Sequence, residues 1–271
     1  MEGAAGAEEG GTGEEARVRR PHGARTMTDE DVDYSVELEN DPGRIQSEEA
    51  LTVTYADGST ERMRLHEYDR VYSVPGLYEE VVQRRLECAS PSVVATSIVA
   101  AAVEEGEGAD DLRVFDLGAG NGVVAEELAQ RGVSTFVGID DAPVAKEAAD
   151  RDRPGLYAEY LVGDLADHPR VPAVVDEHGL NALVAVGALG LGHITAASFD
   201  AAWSRFPEGS WLGVTVPEDL VDPGASDFGD YVEAETSAGR LREHSRQRFR
   251  HRLLMDGGEV FYVAIVARRT A

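Results

Sequence analysis

The residues best suited to ligand chemistry form the segment Asp116-Leu-Gly118-Ala-Gly120-Asn-Gly122, which follows an apolar run and opens a helical pattern. Glycines let the backbone turn sharply and come close to a ligand. The helix that follows presents unpaired N–H groups and the positive end of its dipole to that ligand. Because nucleotides bind in the first such crevice of a doubly wound sheet, the segment predicts a nucleotide cradle, with an incidental turn as the alternative.

Carboxylates follow at the ends of the next two predicted strands. Asp140 ends VGID, with Asp141 directly after it, and Asp164 ends YLVGD. An ionised carboxylate offers only hydrogen-bond acceptors, and bonds to a charged acceptor are the stronger kind. These aspartates therefore suit the polar groups of a nucleoside, although each position also suits a helix N-cap.

The glycine segment departs from the usual dinucleotide fingerprint, because G-x-G-x-x-G counted from Gly118 needs a glycine where Val123 stands. D-x-G-x-G-x-G at the end of a strand instead resembles motif I of the class I S-adenosylmethionine (SAM)-dependent methyltransferases. The order and spacing of Asp140, of Asp164 and of the glycine-rich stretch ALVAVGALGLGHI extend the resemblance to roughly residues 66–271.

The resemblance implies SAM as the cofactor and gives each site residue a role. Asp140, or its neighbour Asp141, would accept hydrogen bonds from both ribose hydroxyls. Asp164 would receive the adenine amino group, and the backbone N–H of Leu165 would face the ring. Asp116 would face the methionine part. The predicted cofactor-binding residues are Asp116, Gly118, Gly120, Gly122, Asp140, Asp141, Asp164, Leu165 and Tyr72.

Tyr72 enters that set because the family often lays a lid segment over the cofactor, just before the sheet. Tyr68 is the other tyrosine of this segment, and packing in the core or at the surface is the alternative for both. A side chain at Gly120 would fill the space that the ligand needs, so Gly120→Val is expected to abolish cofactor binding and to leave the fold largely intact.

Methyl transfer from a sulfonium is an in-line displacement whose leaving group departs neutral, so the protein mainly aligns the nucleophile with the methyl group. A general base is needed only for a protonated, weakly nucleophilic acceptor. His193, in the loop after the fourth strand, is the candidate base because histidine titrates near neutral pH, and a loop histidine bonded to backbone is an equal alternative. Glu218 and Asp219, after the fifth strand, are further candidates to face the acceptor.

Two departures from the family pattern leave the acceptor class open. Amide and adenine N-methyltransferases carry Asp/Asn-Pro-Pro-Tyr after the fourth strand, where this sequence has Val186-Gly187-Ala188-Leu189. The aspartate common at the start of that strand is Asn181 here.

From residue 66 onward, short apolar β-patterns alternate with helical ones, which is typical of a parallel sheet covered on both faces. The last two β-patterns meet at Asp256-Gly257-Gly258 and predict an antiparallel hairpin. The predicted fold is α/β, a Rossmann-like, doubly wound, seven-strand mixed sheet that ends in this hairpin. Residues 28–65 form a small N-terminal β-hairpin extension, 66–271 the methyltransferase domain, and 1–27 a disordered acidic and basic tail.

The amino-acid composition limits the classes of partner that are expected. A net charge of −26 at pH 7 repels phosphate backbones and anionic lipids, so neither nucleic acid nor membrane is expected as the main partner. The single cysteine, Cys88, excludes an internal disulfide and a cysteine-based zinc site, and no metal site is predicted. No apolar run reaches the ~20 residues of a membrane span, and the N-terminus lacks the apolar core of a signal peptide, so a cytoplasmic location is expected.

Arg246, Arg248, Arg250 and Arg252 recur at every second position, so a strand would place all four on one face. This stripe predicts either a docking surface for an anionic acceptor or for the acidic segment 29–39, or a solvated face that balances an acidic protein. The solvated face is the favoured interpretation.

The sequence as a whole predicts a SAM-dependent methyltransferase acting on a small-molecule acceptor. A non-catalytic SAM- or nucleotide-binding protein of the same fold and an NAD-dependent oxidoreductase are the alternatives. No motif identifies the methylated atom (O, N, C or S) or the oligomeric state.

Overall fold

A small antiparallel sheet begins the part of the chain that the computed structural model describes, which is residues 33–43, 45–165, 168–189 and 194–270. Its strands are β1 (Tyr34–Leu38), β2 (Ala50–Tyr55) and β3 (Thr60–Arg64), in the order β1-β2-β3. Alternating apolar side chains on β2 give it one buried face, because successive side chains of a strand point to opposite sides. The predicted N-terminal β-extension is therefore confirmed, with a third strand beside the hairpin.

The main sheet has seven strands in the order β6-β5-β4-β7-β8-β10-β9. The first five along the chain are parallel to one another, whereas β10 runs antiparallel to both of its neighbours. The strands are β4 (Arg113–Leu117), β5 (Thr135–Asp140), β6 (Glu159–Val162), β7 (Ala182–Ala185), β8 (Trp211–Pro217), β9 (Leu241–Leu253) and β10 (Glu259–Arg269). The predicted mixed sheet with a C-terminal antiparallel hairpin is confirmed.

Helices cover both faces of this sheet. They are α1 (Tyr68–Ser73), α2 (Ser90–Glu104), α3 (Val123–Ala129), α4 (Pro143–Asp152), α5 (Val171–His178), α6 (Ala196–Trp203) and α7 (Asp227–Ser237), and a π-helix spans Glu79–Arg85. The sequence patterns did not predict α5 or α7. Neither has a long apolar stripe, and each starts from a local signal, a proline in the first turn of α5 and the Ser226 hydroxyl that accepts from Gly229 N in α7. No single helix among the described residues is long and apolar enough to cross a membrane; the π-helix and α2 meet that test only together, across a 70° bend.

The two faces of the sheet have separate cores, because alternate residues of each strand point to opposite sides. On β4, Phe115 and Leu117 pack with α5, α6 and α7, whereas Val114 packs with α2 and α3. A third core joins the small sheet, through Leu51 and Met63, to the segment of α1 and the π-helix. The extension is thereby held against the main sheet, although the predicted domain boundaries remain predictions and residues 1–27 lie outside the described residues.

A bulge in β9 changes the predicted arginine stripe. Arg250 pairs with Phe261 of β10, but Arg252 pairs with the adjacent Val260, so His251 is the extra residue. Adjacent residues of β10 face opposite sides, and Arg252 is therefore turned away from the other arginines. The prediction that all four share a face is wrong for Arg252.

Arg252 is instead a core residue. It is 2 % exposed and forms an ion pair with Glu49, which is also 2 % exposed and precedes β2. The second carboxylate oxygen of Glu49 accepts a hydrogen bond from the backbone N–H of Met255 at 2.6 Å. This buried pair connects the N-terminal extension to the last hairpin.

The three other arginines have acidic partners within the chain. Arg246 pairs with Glu243, Arg248 with Glu218, and Arg250 with Glu87 and Glu259. The Arg248 guanidinium also lies 3.7 Å from the centre of the Phe261 ring. These pairs agree with the solvated, charge-balancing interpretation of this face.

Candidate functional site

A cavity of about 690 Å³ opens at the carboxyl ends of β4, β5, β6 and β7. The reversal of strand order between β4 and β7 creates this crevice, because the connections on either side of it run to opposite faces of the sheet. Its inner wall is made of loop residues that directly follow these strands: Gly118, Ala119, Gly120, Asn121, Asp140, Asp141, Gly163, Asp164, Leu165, Val186, Gly187 and Ala188.

The loop after β4 requires glycine at two positions that line the cavity. Gly118 has a φ of +69°, and a Cβ there would lie 2.8 Å from the Cβ of Ala188. Gly120 has a φ of +53°, and a Cβ there would lie 2.5 Å from the hydroxyl of Tyr72. Both values of φ are costly for residues with a side chain, so backbone strain and close approach act together.

The space beside the Gly120 Cα is thus occupied by Tyr72. The expectation that Gly120→Val would leave the fold largely intact is wrong, because the new side chain would displace a buried tyrosine as well as strain the backbone. Tyr72 lines the cavity, is 8 % exposed and packs between the rings of Tyr68 and Tyr78, at centroid distances of 5.7 Å and 5.1 Å.

The N–H groups of the glycine loop are bonded within the protein. Gly118 N and Ala119 N both donate to Ile139 O, and Gly122 N donates to Ala119 O. Gly120 N donates to Oδ2 of Asp140 at 2.9 Å. The expected row of free amides is therefore not formed at these four residues, because the tight turn brings them onto β5 and onto one another.

Asp140 joins the two loops that form the base of the cavity. Its Oδ2 accepts from Gly120 N and its Oδ1 accepts from Ala142 N at 3.0 Å. Burial raises the pKa of this carboxyl, the two N–H donors lower it, and the adjacent Asp141 raises it again. A carboxylate has about four acceptor sites, so two of them remain for a ligand. Asp141 also lines the cavity but is exposed.

Asp164 and Leu165 follow β6 and line the same cavity. Asp164 is exposed, whereas the Leu165 side chain is buried in the core under α5 and α6. Opposite them, Gly187 N donates to the Thr215 hydroxyl at 2.9 Å, which holds the loop after β7 in place. The structure therefore brings Asp140, Asp141, Asp164 and Leu165 to one cavity, as their spacing predicted.

Asp116 lies below the cavity and is not one of the residues that line it. It is 1 % exposed, its Oδ2 accepts from the Tyr157 hydroxyl at 2.7 Å, and its Oδ1 has no hydrogen-bond partner among the described residues. Burial raises the pKa of Asp116 to about 7, although the bond from Tyr157 opposes this and nearby Asp140 adds to it. Its predicted contact with the cofactor remains a prediction.

The three residues expected near the acceptor were His193, Glu218 and Asp219. His193 lies outside the described residues. Glu218 forms an ion pair with Arg248, and neither Glu218 nor Asp219 is among the residues that line the cavity.

Several residues that hold the glycine loop were not predicted. The Tyr160 hydroxyl donates to Gly120 O at 2.6 Å. Glu79 of the π-helix accepts from Asn121 Nδ2 at 2.6 Å and pairs with Arg153, which also donates to Asn121 O at 3.0 Å. The clustering of Tyr157, just before β6, with Tyr160 within β6 was the available signal, since the other contacts join segments far apart in sequence.

The comparisons with known proteins rest on structure. No protein-family model matches the sequence, and no curated protein matches it significantly. The N-methyltransferase NodS from Bradyrhizobium japonicum, solved with S-adenosyl-L-homocysteine, is 13 % identical, has a TM-score of 0.51, and aligns over 75 % of this chain and 97 % of its own. This chain has the fold of the class I SAM-dependent methyltransferases.

Other solved structures are similar at lower TM-scores. A SAM-dependent methyltransferase from Anabaena variabilis is 12 % identical with a TM-score of 0.48, covering 74 % of this chain and 93 % of its own. The magnesium protoporphyrin IX methyltransferase from Synechocystis, with bound SAM, is 16 % identical with a TM-score of 0.47, covering 67 % and 81 %.

One departure from the methyltransferase pattern has a structural explanation. Asn181, at the place of the common aspartate, accepts from Arg113 N at 2.8 Å and donates to Asp111 O at 2.9 Å. An aspartate could accept the first bond but could not donate the second. Asn181 therefore fastens the start of β7 to the start of β4, at the end of the sheet opposite the cavity.

The second wall of the cavity in this methyltransferase fold comes from segments outside the βα loops. They are the extension, α1 with the residues just before it, the π-helix with Tyr78 before it, the start of α2 and the last hairpin. The lining residues they supply include Gln46, His66, Tyr68, Tyr78, Cys88, Ser90, His251, Arg252 and Tyr262.

Proposed function

We propose that this protein is a SAM-dependent methyltransferase that transfers a methyl group to a small-molecule acceptor by in-line displacement. The observation that carries the proposal is Asp140, a carboxylate that lines the cavity, has both oxygens oriented by backbone N–H groups, and keeps acceptor capacity for the ribose hydroxyls of the cofactor.

The described residues fit such a cofactor. Gly118 and Ala119 offer a wall without bulky side chains, and Asp164 and Leu165 line the same cavity on the loop after β6. When bound, SAM supplies a methyl group on a sulfonium, whose departure leaves a neutral thioether. The protein residues orient and enclose the reactants, which is the main requirement of a displacement of this kind.

A general base is not required by this proposal for an acceptor that is already nucleophilic. His193 remains the candidate base, in the loop between β7 and α6. The acidic composition, with a net charge of −26, favours a small acceptor over nucleic acid. The single cysteine is consistent with the expected cytoplasmic location.

A non-catalytic protein that binds SAM or another nucleotide through the same fold is the second candidate. It would keep every contact described above, so only turnover separates it from the enzyme. An NAD-dependent oxidoreductase is less well supported, since β10 enters the sheet antiparallel to β8 where such enzymes continue with a parallel strand.

Calorimetric titration of the full chain with SAM, S-adenosyl-L-homocysteine (SAH) and NAD tests the proposal. SAM and SAH are expected to bind at micromolar levels and NAD is not. Asp140→Asn should weaken SAM binding by about 1.5–3 kcal/mol, the cost of one charge-assisted hydrogen bond. Asp141→Asn decides between the two neighbouring carboxylates, and Asp150→Asn, an exposed residue of α4, is the matched surface control.

If Asp140→Asn and Asp141→Asn both bind SAM as tightly as the original protein, the assignment of the ribose site is contradicted. Binding of NAD without binding of SAM or SAH would contradict the proposed cofactor. Incubation of the SAM-binding chain with a metabolite extract and methyl-labelled SAM then separates the enzyme from the non-catalytic protein.

A further inference from the structure

The second wall of the cavity forms a compartment with its own chemistry, which the cofactor assignment does not use. Rings make up much of it: His66, Tyr68, Tyr78, His251 and Tyr262 all line the cavity. The rings of His66 and Tyr68 meet edge to face at 5.7 Å, and those of His251 and Tyr262 are stacked at 4.0 Å. Ring faces of this kind favour an apolar, planar ligand.

The charged side chains of this compartment are neutralised or exposed. Arg252 is paired with the buried Glu49, and Arg70 is paired with Glu61 and Glu67. Asp69 is exposed to solvent. An anionic ligand entering this compartment would lose its hydration without finding a free cation among these described residues, which is costly. A cationic ligand would find only Asp69, whose exposed carboxylate gives a weak, solvent-screened interaction.

His251 is a polar group that the compartment presents to a ligand. It is 8 % exposed, and its Nδ1 hydrogen-bonds the Ser90 hydroxyl at 2.6 Å. Its Nε2 has no hydrogen-bond partner among the described residues, although the residue lines the cavity. Burial and the nearby Arg252 and His66 lower the pKa of His251 to about 3, so the ring is neutral at physiological pH.

The bulge in β9 explains why His251 can occupy this place. As the extra residue of the strand it has no partner on β10, and its backbone oxygen accepts from Ala89 N at 2.8 Å, just before α2. Ser90 at the start of α2 thereby meets the imidazole, and Tyr262 supports its face. Three segments distant in sequence hold one side chain at the cavity.

We propose that this compartment binds the methyl acceptor, that the acceptor is an uncharged molecule with a planar ring, and that His251 Nε2 hydrogen-bonds a polar group of that molecule. The proposal rests on the proposed function, because only a methyltransferase has a methyl acceptor. His251 is a binding and positioning residue here and not a general base, since an imidazole that stays neutral beside Arg252 does not readily accept a proton.

Ligand binding to the full chain with saturating SAH tests this, with phenol, benzoate and benzylamine as ring probes of neutral, negative and positive charge. Cyclohexanol is the control without a planar ring. Binding is followed by ligand-observed NMR at pH 7.5. Phenol is expected to bind best, and each charged probe at least about tenfold more weakly, because its charge would be buried without a partner.

Two substitutions of His251 distinguish the loss of the Nε2 hydrogen bond from a loss of folding. Asn at position 251 can retain the contact to Ser90 but has no group at the place of Nε2, whereas Gln can reach that place. His251→Asn should weaken phenol binding about fivefold, the loss of one neutral hydrogen bond, and His251→Gln should restore part of it. SAH affinity should be unchanged in both, which shows that the cavity remains folded.

The proposal is overturned if benzoate or benzylamine binds as well as phenol, if cyclohexanol matches phenol, or if His251→Asn leaves phenol binding unchanged. Failure of the proposed function looks different. SAH would then not bind, whereas phenol binding to the unliganded chain would still depend on His251.

Discussion

Asp116 makes the stability of the unliganded protein depend on pH in a direction opposite to that of a salt-bridged carboxylate. Its pKa is about 7 in the folded chain, against the ordinary value of 3.8 for an exposed aspartate. Between these two values the folded protein holds a proton at Asp116 that the unfolded chain has lost. Folding therefore favours the protonated form, and stability falls as pH rises from about 4 to about 7.

The size of the effect follows from the shift. Each pKa unit corresponds to about 1.4 kcal/mol, so a shift of this size is worth about 4 kcal/mol at pH values above both pKa values. The ionised form of Asp116 is poorly stabilised because, among the described residues, Oδ1 has no hydrogen-bond partner and only the Tyr157 hydroxyl donates to Oδ2. The loss is complete once pH exceeds the folded pKa and absent below the unfolded one.

Asp116→Asn tests this reasoning, since an amide resembles the protonated acid and keeps an acceptor for the Tyr157 hydroxyl. Urea unfolding of both proteins without ligand, at constant ionic strength and at intervals from pH 4 to pH 8, gives the difference in free energy of unfolding. The free energy of unfolding of Asp116→Asn, relative to that of the original protein, should increase by about 4 kcal/mol as the pH rises across this range. The increase should not exceed this value.

Tyr157→Phe is the matched control. It removes the donor that favours the ionised form, so the pKa of Asp116 should rise and the fall in stability should extend to higher pH. The difference between the proteins isolates Asp116 from the many other carboxylates of this acidic chain. A difference that is constant with pH would refute the assignment of a neutral Asp116.

Two further predictions concern packing. Gly118→Ala should lower the free energy of unfolding by about 1–3 kcal/mol and weaken SAH binding, because the new Cβ meets that of Ala188 and φ is positive. Urea unfolding measures the first effect and calorimetry the second. An unchanged urea midpoint would contradict the described loop. Arg252→Met should lower the free energy of unfolding by about 3–5 kcal/mol, because it leaves the Glu49 carboxylate buried without its cation. Adding Glu49→Gln to Arg252→Met should recover most of this loss. Equal stability of Arg252→Met and the double variant would show that the pair is not buried.

The sequence predicted the parallel strands well because each is a short apolar run flanked by turn residues. The sequence analysis placed Asp140 at the end of a strand, and Asp140 is the last residue of β5. The residues brought to the cavity by strand ends were predictable for the same reason, since parallel strands present their carboxyl ends at one edge.

The remaining features depend on contacts between distant segments. Nothing in the period of the arginines indicates a bulge at His251, and nothing near Arg252 indicates Glu49 as its partner. The sequence also gives no indication of the hydrogen bond that the Tyr157 hydroxyl donates to Asp116, because the two residues belong to different segments of the chain.

The origin of the two cavity walls has a consequence for the order in which the site is completed during synthesis. The glycine loop and the residues after β5, β6 and β7 all precede residue 190, whereas His251 and Tyr262 belong to β9 and β10, which are synthesised later. A chain emerging from the ribosome can thus form the nucleotide-facing wall while the second wall, which also includes His66, Tyr68 and Ser90 from earlier in the chain, still lacks these two rings. The second wall is complete only when β9 and β10 have joined the sheet, so a chain that stops before β9 would lack both rings.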